Sequence, residues 1–213
     1  MRMLPAFAVL AVLAAAPAAH AQVENMGPKG ATYITDEDVK KVNALPGVDR
    51  QIVSVDVGKL NEAVGIVHRG STRNAKPPAA PPANAPAPLP CGEAMASAPA
   101  GSPGSGIAHD HQTETYVIVS GGGTLITGGR IVNGRKSAPN SAVTTILNGP
   151  SCSGAIAGPG VVTRAVKPGD IIIIPAGVPH GWSDIPDHVD YLSIRPDPDR
   201  VLKPYVNPAV ARQ

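Results

Sequence analysis

Four residues in two short stretches have the types and spacing to do chemistry. "AHDHQTETYVIVSGGG", residues 108–123, puts His109, His111 and Glu114 close together, directly before an apolar run. "GDIIIIPAGVPHGWSD", residues 169–184, carries His180 just after a Pro-x-Gly turn. Neutral imidazoles and a carboxylate gathered from separate strands make a donor set suited to a divalent transition metal: Fe, Mn or Zn, with Ni or Cu as further options. The bland alternative is a pair of polar turns leading into strands.

The elements that must position these residues are β-strands. "TYVIVS", "TLITGG", "RIVNG", "AVTTIL", "VVTRAV", "DIIIIPAG" and "DYLSIR" read as strands or strand edges, separated by Gly, Asn and Pro clusters. Asn133-Gly134 suits a tight hairpin turn, and "KPGD", 167–170, suits a type II turn with Gly169 at its positive-φ position. The four isoleucines 171–174 predict a strand covered on both faces, ended by Pro175 and Gly177 so that His180 returns at the rim of a cavity. On a strand, His109 and His111 project to one face, and so do Glu114, Tyr116 and Ile118.

If Glu114 points inward, Tyr116 does too, either orienting a substrate through its hydroxyl or filling core. In "VDYLSIR", Tyr191, Ser193 and Arg195 alternate with Leu192 and Ile194. Arg195 is a substrate-carboxylate clamp if that face is inward, and an exposed strand-end arginine if it is not. Trp182 reads as a pocket lip or a cap on the barrel end, and His68 and His188 as surface residues.

Around this core the chain divides by composition. Arg2 followed by "MLPAFAVLAVLAAAPAA" and Ala19-His20-Ala21 reads as a signal peptide over 1–21, cleaved near Ala21/Gln22, which places the protein in the periplasm or outside the cell. No later segment offers the ~20 apolar residues of a spanning helix. Residues 22–50 form an N-terminal segment, in which Thr35 N-caps a short helix whose first turn holds Asp36, Glu37 and Asp38. "QIVSVDVG" and "EAVGIVHRG" are strand-like, the first alternating cleanly with Ile52, Ser54 and Asp56 on one side. The barrel domain spans 51–200, interrupted by a Pro/Ala-rich insertion over 71–105, and a tail runs over 201–213. Half of the residues from Pro77 to Pro90 are proline, which keeps that stretch out of any sheet interior.

With its only phenylalanine at position 7, the core is built from Val, Ile, Leu and Ala. Cys91 and Cys152 permit one disulfide in an oxidising compartment, or two buried thiols. The formal charge of +2 is spread along the chain, which excludes a nucleic-acid surface.

The two stretches resemble the motifs of the cupin superfamily. Gly169, Pro175, Gly177 and His180 fall on its second motif, with Asp184 where the family has asparagine. His109, His111, Glu114 and Gly121 match the first motif, except that two residues separate His111 from Glu114 where the family has three or four. One register makes His109, Glu114 and His180 the ligands with His111 in a hairpin turn, and the other adds His111 as a fourth. The resemblance implies an all-β fold, a cupin-type antiparallel barrel (jelly roll), together with a homodimer.

Two functions fit. One is a metal-dependent enzyme acting on a small organic molecule as an oxidase or dioxygenase, a decarboxylase or an isomerase. The other is a non-catalytic module binding a metal or small ligand. The fold does not separate them.

Overall fold

The computed structural model describes residues 30–73, 87–97 and 99–210, so the signal-peptide reading of 1–21 lies outside the described residues. Helix α1, Asp36–Asn43, begins as predicted, with the Thr35 hydroxyl accepting from the Asp38 amide and the Asp38 carboxylate accepting from the Thr35 amide. Among the described residues thirteen strands follow. They are β1 (Asp49–Asp56), β2 (Asn61–Gly70), β3 (Pro90–Cys91), β4 (Gly104–His109), β5 (Glu114–Gly121), β6 (Gly123–Thr127), β7 (Arg130–Lys136), β8 (Ser151–Ala157), β9 (Val162–Val166), β10 (Ile171–Ile174), β11 (His180–Asp184), β12 (His188–Asp197) and β13 (Tyr205–Val206).

The strands pair antiparallel in two sheets, one ordered β10-β5-β12-β2-β1-β13 and the other β3-β7-β8-β4-β11-β6-β9. Together they form the β-sandwich of a jelly roll. The main core lies between the sheets, where Val67, Tyr116, Ile118, Val189 and Tyr191 of the first meet Leu125 and Val166 of the second. A second cluster beneath α1 joins Val42 to Ile52, Val53 and Ile66. Cys91 and Cys152 form a disulfide that ties the far side of the Pro/Ala-rich stretch to β8, consistent with an oxidising compartment. Among the described residues no helix is long and apolar enough to cross a membrane.

Four local expectations are corrected. "AVTTIL" is not a strand: residues Val143–Leu147 form a π-helical turn, held by the Ser141 hydroxyl, which accepts from the Thr144 amide, and by the Asn148 amide donating to the Val143 carbonyl at 2.8 Å. Local side-chain bonding from Ser and Thr has overridden β propensity there. Asn133-Gly134 is not a hairpin turn but an irregularity inside β7, where Asn133 takes φ +49° and the register with β8 shifts.

The isoleucine run is covered on one face only. As β10 sits at a sheet edge, Ile171 and Ile173 are 64% and 69% exposed while Ile174 is buried. A bulge after Gln51 breaks the clean alternation of β1, so Ile52 and Val53 both join the cluster under α1. The "KPGD" turn forms as expected, with Gly169 at φ +90° and the Asp170 amide donating to the Lys167 carbonyl.

Candidate metal centre

Three strands converge on one point. β4 ends at His109 and pairs with β8 so that His109 faces Ser151. β10 pairs with β5 so that the last isoleucine, Ile174, lies opposite Glu114. The turn after it then carries the chain to His180, which opens β11 opposite Ile107 of β4. This closeness requires glycine at 106, since a Cβ there would lie 2.1 Å from the His180 carbonyl oxygen. The Gly177 amide donates to the His109 carbonyl at 2.7 Å, tying the two motifs together through the backbone.

His109, Glu114 and His180 are all buried, with one ligand atom from each lying within 4.8 Å of the others. Glu114 Oε2 stands 3.0 Å from His180 Nε2 and 3.3 Å from His109 Nε2. The outer ring nitrogens show which atoms carry protons. His109 Nδ1 lies 2.8 Å from the Ser151 hydroxyl, which itself donates to the Gly149 carbonyl and so must accept from the ring. His180 Nδ1 lies 3.0 Å from the Val178 carbonyl, which can only accept. Both inner Nε2 atoms therefore present lone pairs.

Glu114 is ionised. Burial would raise its pKa, but the positive charge of Arg195 holds it well below the usual carboxylate range. Burial, working against the pull of Glu114, holds His109 below its ordinary value, which disfavours filling the gap with a proton. Two nitrogen lone pairs and a carboxylate oxygen thus face one another, and His180 Nε2 has no hydrogen-bond partner. A divalent cation between them satisfies all three, so the residues fit a metal.

The second carboxylate oxygen of Glu114 is held from three sides. Asn148 Nδ2, the Ser193 hydroxyl and Arg195 Nε donate to Oε1 at 2.8, 2.9 and 2.8 Å. Tyr116 donates to Oε2 at 2.9 Å, and burial together with the Glu114 charge pushes its own pKa well above the ordinary tyrosine value. The polar face of β12 is inward. Arg195 is 1% exposed, not a surface residue, and its remaining nitrogens go to Gln51 and Asp49. The charges of Asp49 and Glu114 raise its pKa despite its burial.

The structure brings together three of the four expected ligands. His111 lies beyond the end of β4, at the surface, where its Nδ1 is 3.0 Å from Asp199. The two-residue spacing to Glu114 leaves no strand to carry it inward. Trp182 packs 5.7 Å from Tyr191 and lines a cavity of about 770 Å³ beside His180 and Tyr116. Asp184 pairs with Arg73 away from the cluster. His68 and His188 stack on the outer side near Asp190.

Sequence reasoning missed Asn148, Ser151, Gln51 and Asp49 as supports of the site. Of the supporting residues, Tyr116, Ser193 and Arg195 carried a signal, through their alternation on strands with Glu114 and Tyr191.

No family model and no curated protein matches this chain. Its structural neighbours are cupin and double-stranded β-helix proteins at low identity. The DMSP lyase DddQ from Ruegeria pomeroyi is 14% identical, with a TM-score of 0.32 over 71% of this chain and 45% of that one. A double-stranded β-helix protein from Klebsiella pneumoniae is 15% identical, with a TM-score of 0.35 over 79% of this chain and 93% of that one. An oxalate oxidase solved with the substrate analogue glycolate is 11% identical, with a TM-score of 0.31 over 73% of this chain and 54% of that one. The chain thus spans about half the length of the lyase and of the oxidase.

Proposed function

We propose that this is an exported protein whose barrel holds a divalent transition metal through His109, Glu114 and His180. In the adjoining cavity it acts on a small organic molecule, by oxidation or dioxygenation, decarboxylation or isomerisation. The observation that carries the reading is the trio of lone-pair donors facing one another in a buried site, both imidazole tautomers fixed by their outer partners. Export is supported by the Cys91–Cys152 disulfide and by the composition of residues 1–21.

When bound, the metal supplies Lewis acidity and coordination positions that three protein ligands leave open. The chain's own residues prepare that site. Arg195 keeps Glu114 ionised and, with Ser193 and Asn148, fixes the direction of its free oxygen. Ser151 and Val178 hold the two rings in the ligating tautomer. Tyr116, on the cavity wall, anchors Glu114 and orients a bound molecule. Arg195 acts on substrate only through Glu114.

The burial of all three ligands favours a second reading, a non-catalytic module that stores or presents an ion. Oxygen uptake and product analysis of metal-loaded protein with small carboxylic acids and phenols separate the two. Turnover lost in His180→Ala supports the enzyme. A stoichiometric ion with no turnover moves the protein to the binding class. Failure to bind Fe, Mn, Zn, Ni or Cu refutes both.

A further inference from the structure

The cavity beside His180 holds a cation that the metal centre leaves unused. Arg69 stands at the end of β2, continuing the inward row of Val67, while its neighbour His68 is exposed on the opposite face. Its Nε donates to the Tyr191 hydroxyl at 3.2 Å, and among the described residues no acceptor meets its two terminal nitrogens and no carboxylate pairs with it. Arg195, on the same sheet face, is by contrast matched by both Glu114 and Asp49. A half-buried guanidinium that feels the Asp49 charge but touches no carboxylate is costly unless an anion comes to it. Its planar fork is suited to donating two parallel hydrogen bonds to one carboxylate.

The remaining walls describe the rest of the ligand. Tyr191 connects Arg69 to the metal ligands, lying 4.2 Å from Tyr116, which is itself 5.9 Å from His180. Trp182, Ile107 and Ile185 add apolar surface to a volume of about 770 Å³, ample for an aromatic ring. Among the described residues lining it, Arg69 is the only Arg, Lys, Asp or Glu, which matches a monoanion better than a phosphate.

We infer that Arg69 is an anion clamp and that the cavity takes a small organic carboxylate with a planar, apolar body, its carboxylate on the Arg69 fork and its body against Tyr116 and Trp182. This rests on the proposed reading of the cavity as the place where a small molecule meets the metal site.

Trp182 is the only tryptophan in the chain, so its fluorescence reports the cavity alone. The full chain is titrated with benzoate, with its neutral isostere benzamide and with inorganic phosphate, in the parent, Arg69→Lys and Arg69→Gln, with circular dichroism and metal content measured on the same samples. The parent is expected to give a saturable change with benzoate and none with benzamide or phosphate. Arg69→Gln should weaken benzoate at least about tenfold, the loss expected for a charged hydrogen bond, with Arg69→Lys in between.

Equal binding of benzoate and benzamide, preference for phosphate, absence of saturation, or parental affinity in a folded Arg69→Gln would each overturn the clamp. The metal reading fails separately. A metal-free parent with Arg69-dependent benzoate binding keeps the clamp and refutes the metal, and a metal-loaded parent whose benzoate binding ignores Arg69 does the reverse. Should Arg69→Gln not fold, Arg69→Lys decides alone: weakened benzoate supports the clamp and unchanged affinity overturns it.

Discussion

Replacing Arg195 by methionine should be among the most damaging single changes in the barrel, and its pH dependence should reveal why. Methionine keeps much of the packed volume but removes the charge that faces Glu114 at 2.8 Å, with side chains 1% and 2% exposed. Breaking one half of a buried pair costs about 3–5 kcal/mol, because the surviving charge stays buried. Asp49, at 22% exposure, can rehydrate, and Glu114 keeps donors from Ser193, Asn148 and Tyr116, so the lower end, about 3 kcal/mol at pH 7, is expected.

In the parent, the folded pKa of Glu114 is depressed, so its stabilisation is in place above the ordinary value of 4.5 and is lost as pH falls below it. Without Arg195, burial should raise that pKa, and stability then falls as pH rises through it. The gap between parent and variant should therefore narrow from pH 7 towards pH 4. Urea unfolding with the disulfide intact and a chelator present, so that ligand linkage is removed, measures both quantities. A loss under about 1 kcal/mol, the scale of an ordinary neutral hydrogen bond, or a gap that widens on acidification, would refute the assignment of Arg195 as the counter-charge that keeps Glu114 ionised.

Three further outcomes are expected. Gly106→Ala should force β4 from β11 at the point where the His180 carbonyl lies 2.1 Å from the new Cβ, and parting His109 from His180 should abolish metal retention, read by elemental analysis of folded protein. Converting Cys91 and Cys152 to serine opens a loop of 61 residues and should lower unfolding free energy by about 4 kcal/mol on the chain-entropy estimate, while wild-type protein should show no free thiol by mass spectrometry. Asp56, whose pKa is drawn down to about 2, first by its hydrogen bond from Arg200, should titrate there by NMR. Its contribution to stability should be complete above the ordinary value of 3.8 and lost as pH falls through about 2, and Arg200→Gln should return the midpoint towards 3.8.

The ligands were legible in the sequence because their chemistry is tied to strand ends. His109, Glu114 and His180 each open or close a strand, and the turn residues Pro175 and Gly177 mark where the chain reverses. The even face of β5 and the odd face of β12 could also be read, since one period-2 alternation places Glu114 with Tyr116 and another places Ser193 with Arg195.

The supports were not legible, because they arrive through irregular backbone. Asn148 reaches Glu114 only by way of a π-helical turn in a stretch of β-branched residues that reads as a strand. Gln51 meets Arg195 next to a bulge that no alternation foretells. The isoleucine run misled for a related reason. Its residues are alike on both faces, so the pattern could not reveal that β10 is an edge strand with one side uncovered. The spacing at His111 left two registers open, and strand length decided between them, since β4 ends two residues earlier.

The central claim, a metal held by His109, Glu114 and His180, is tested most directly by the metal content of full-chain protein recovered from an exporting host and loaded with Fe, Mn, Zn, Ni or Cu. The parent and His111→Ala should retain close to one ion per chain, while His109→Ala, Glu114→Ala and His180→Ala should each lose it. A parent that holds no ion under any loading, or one that keeps its ion when His180 is removed, would contradict the account.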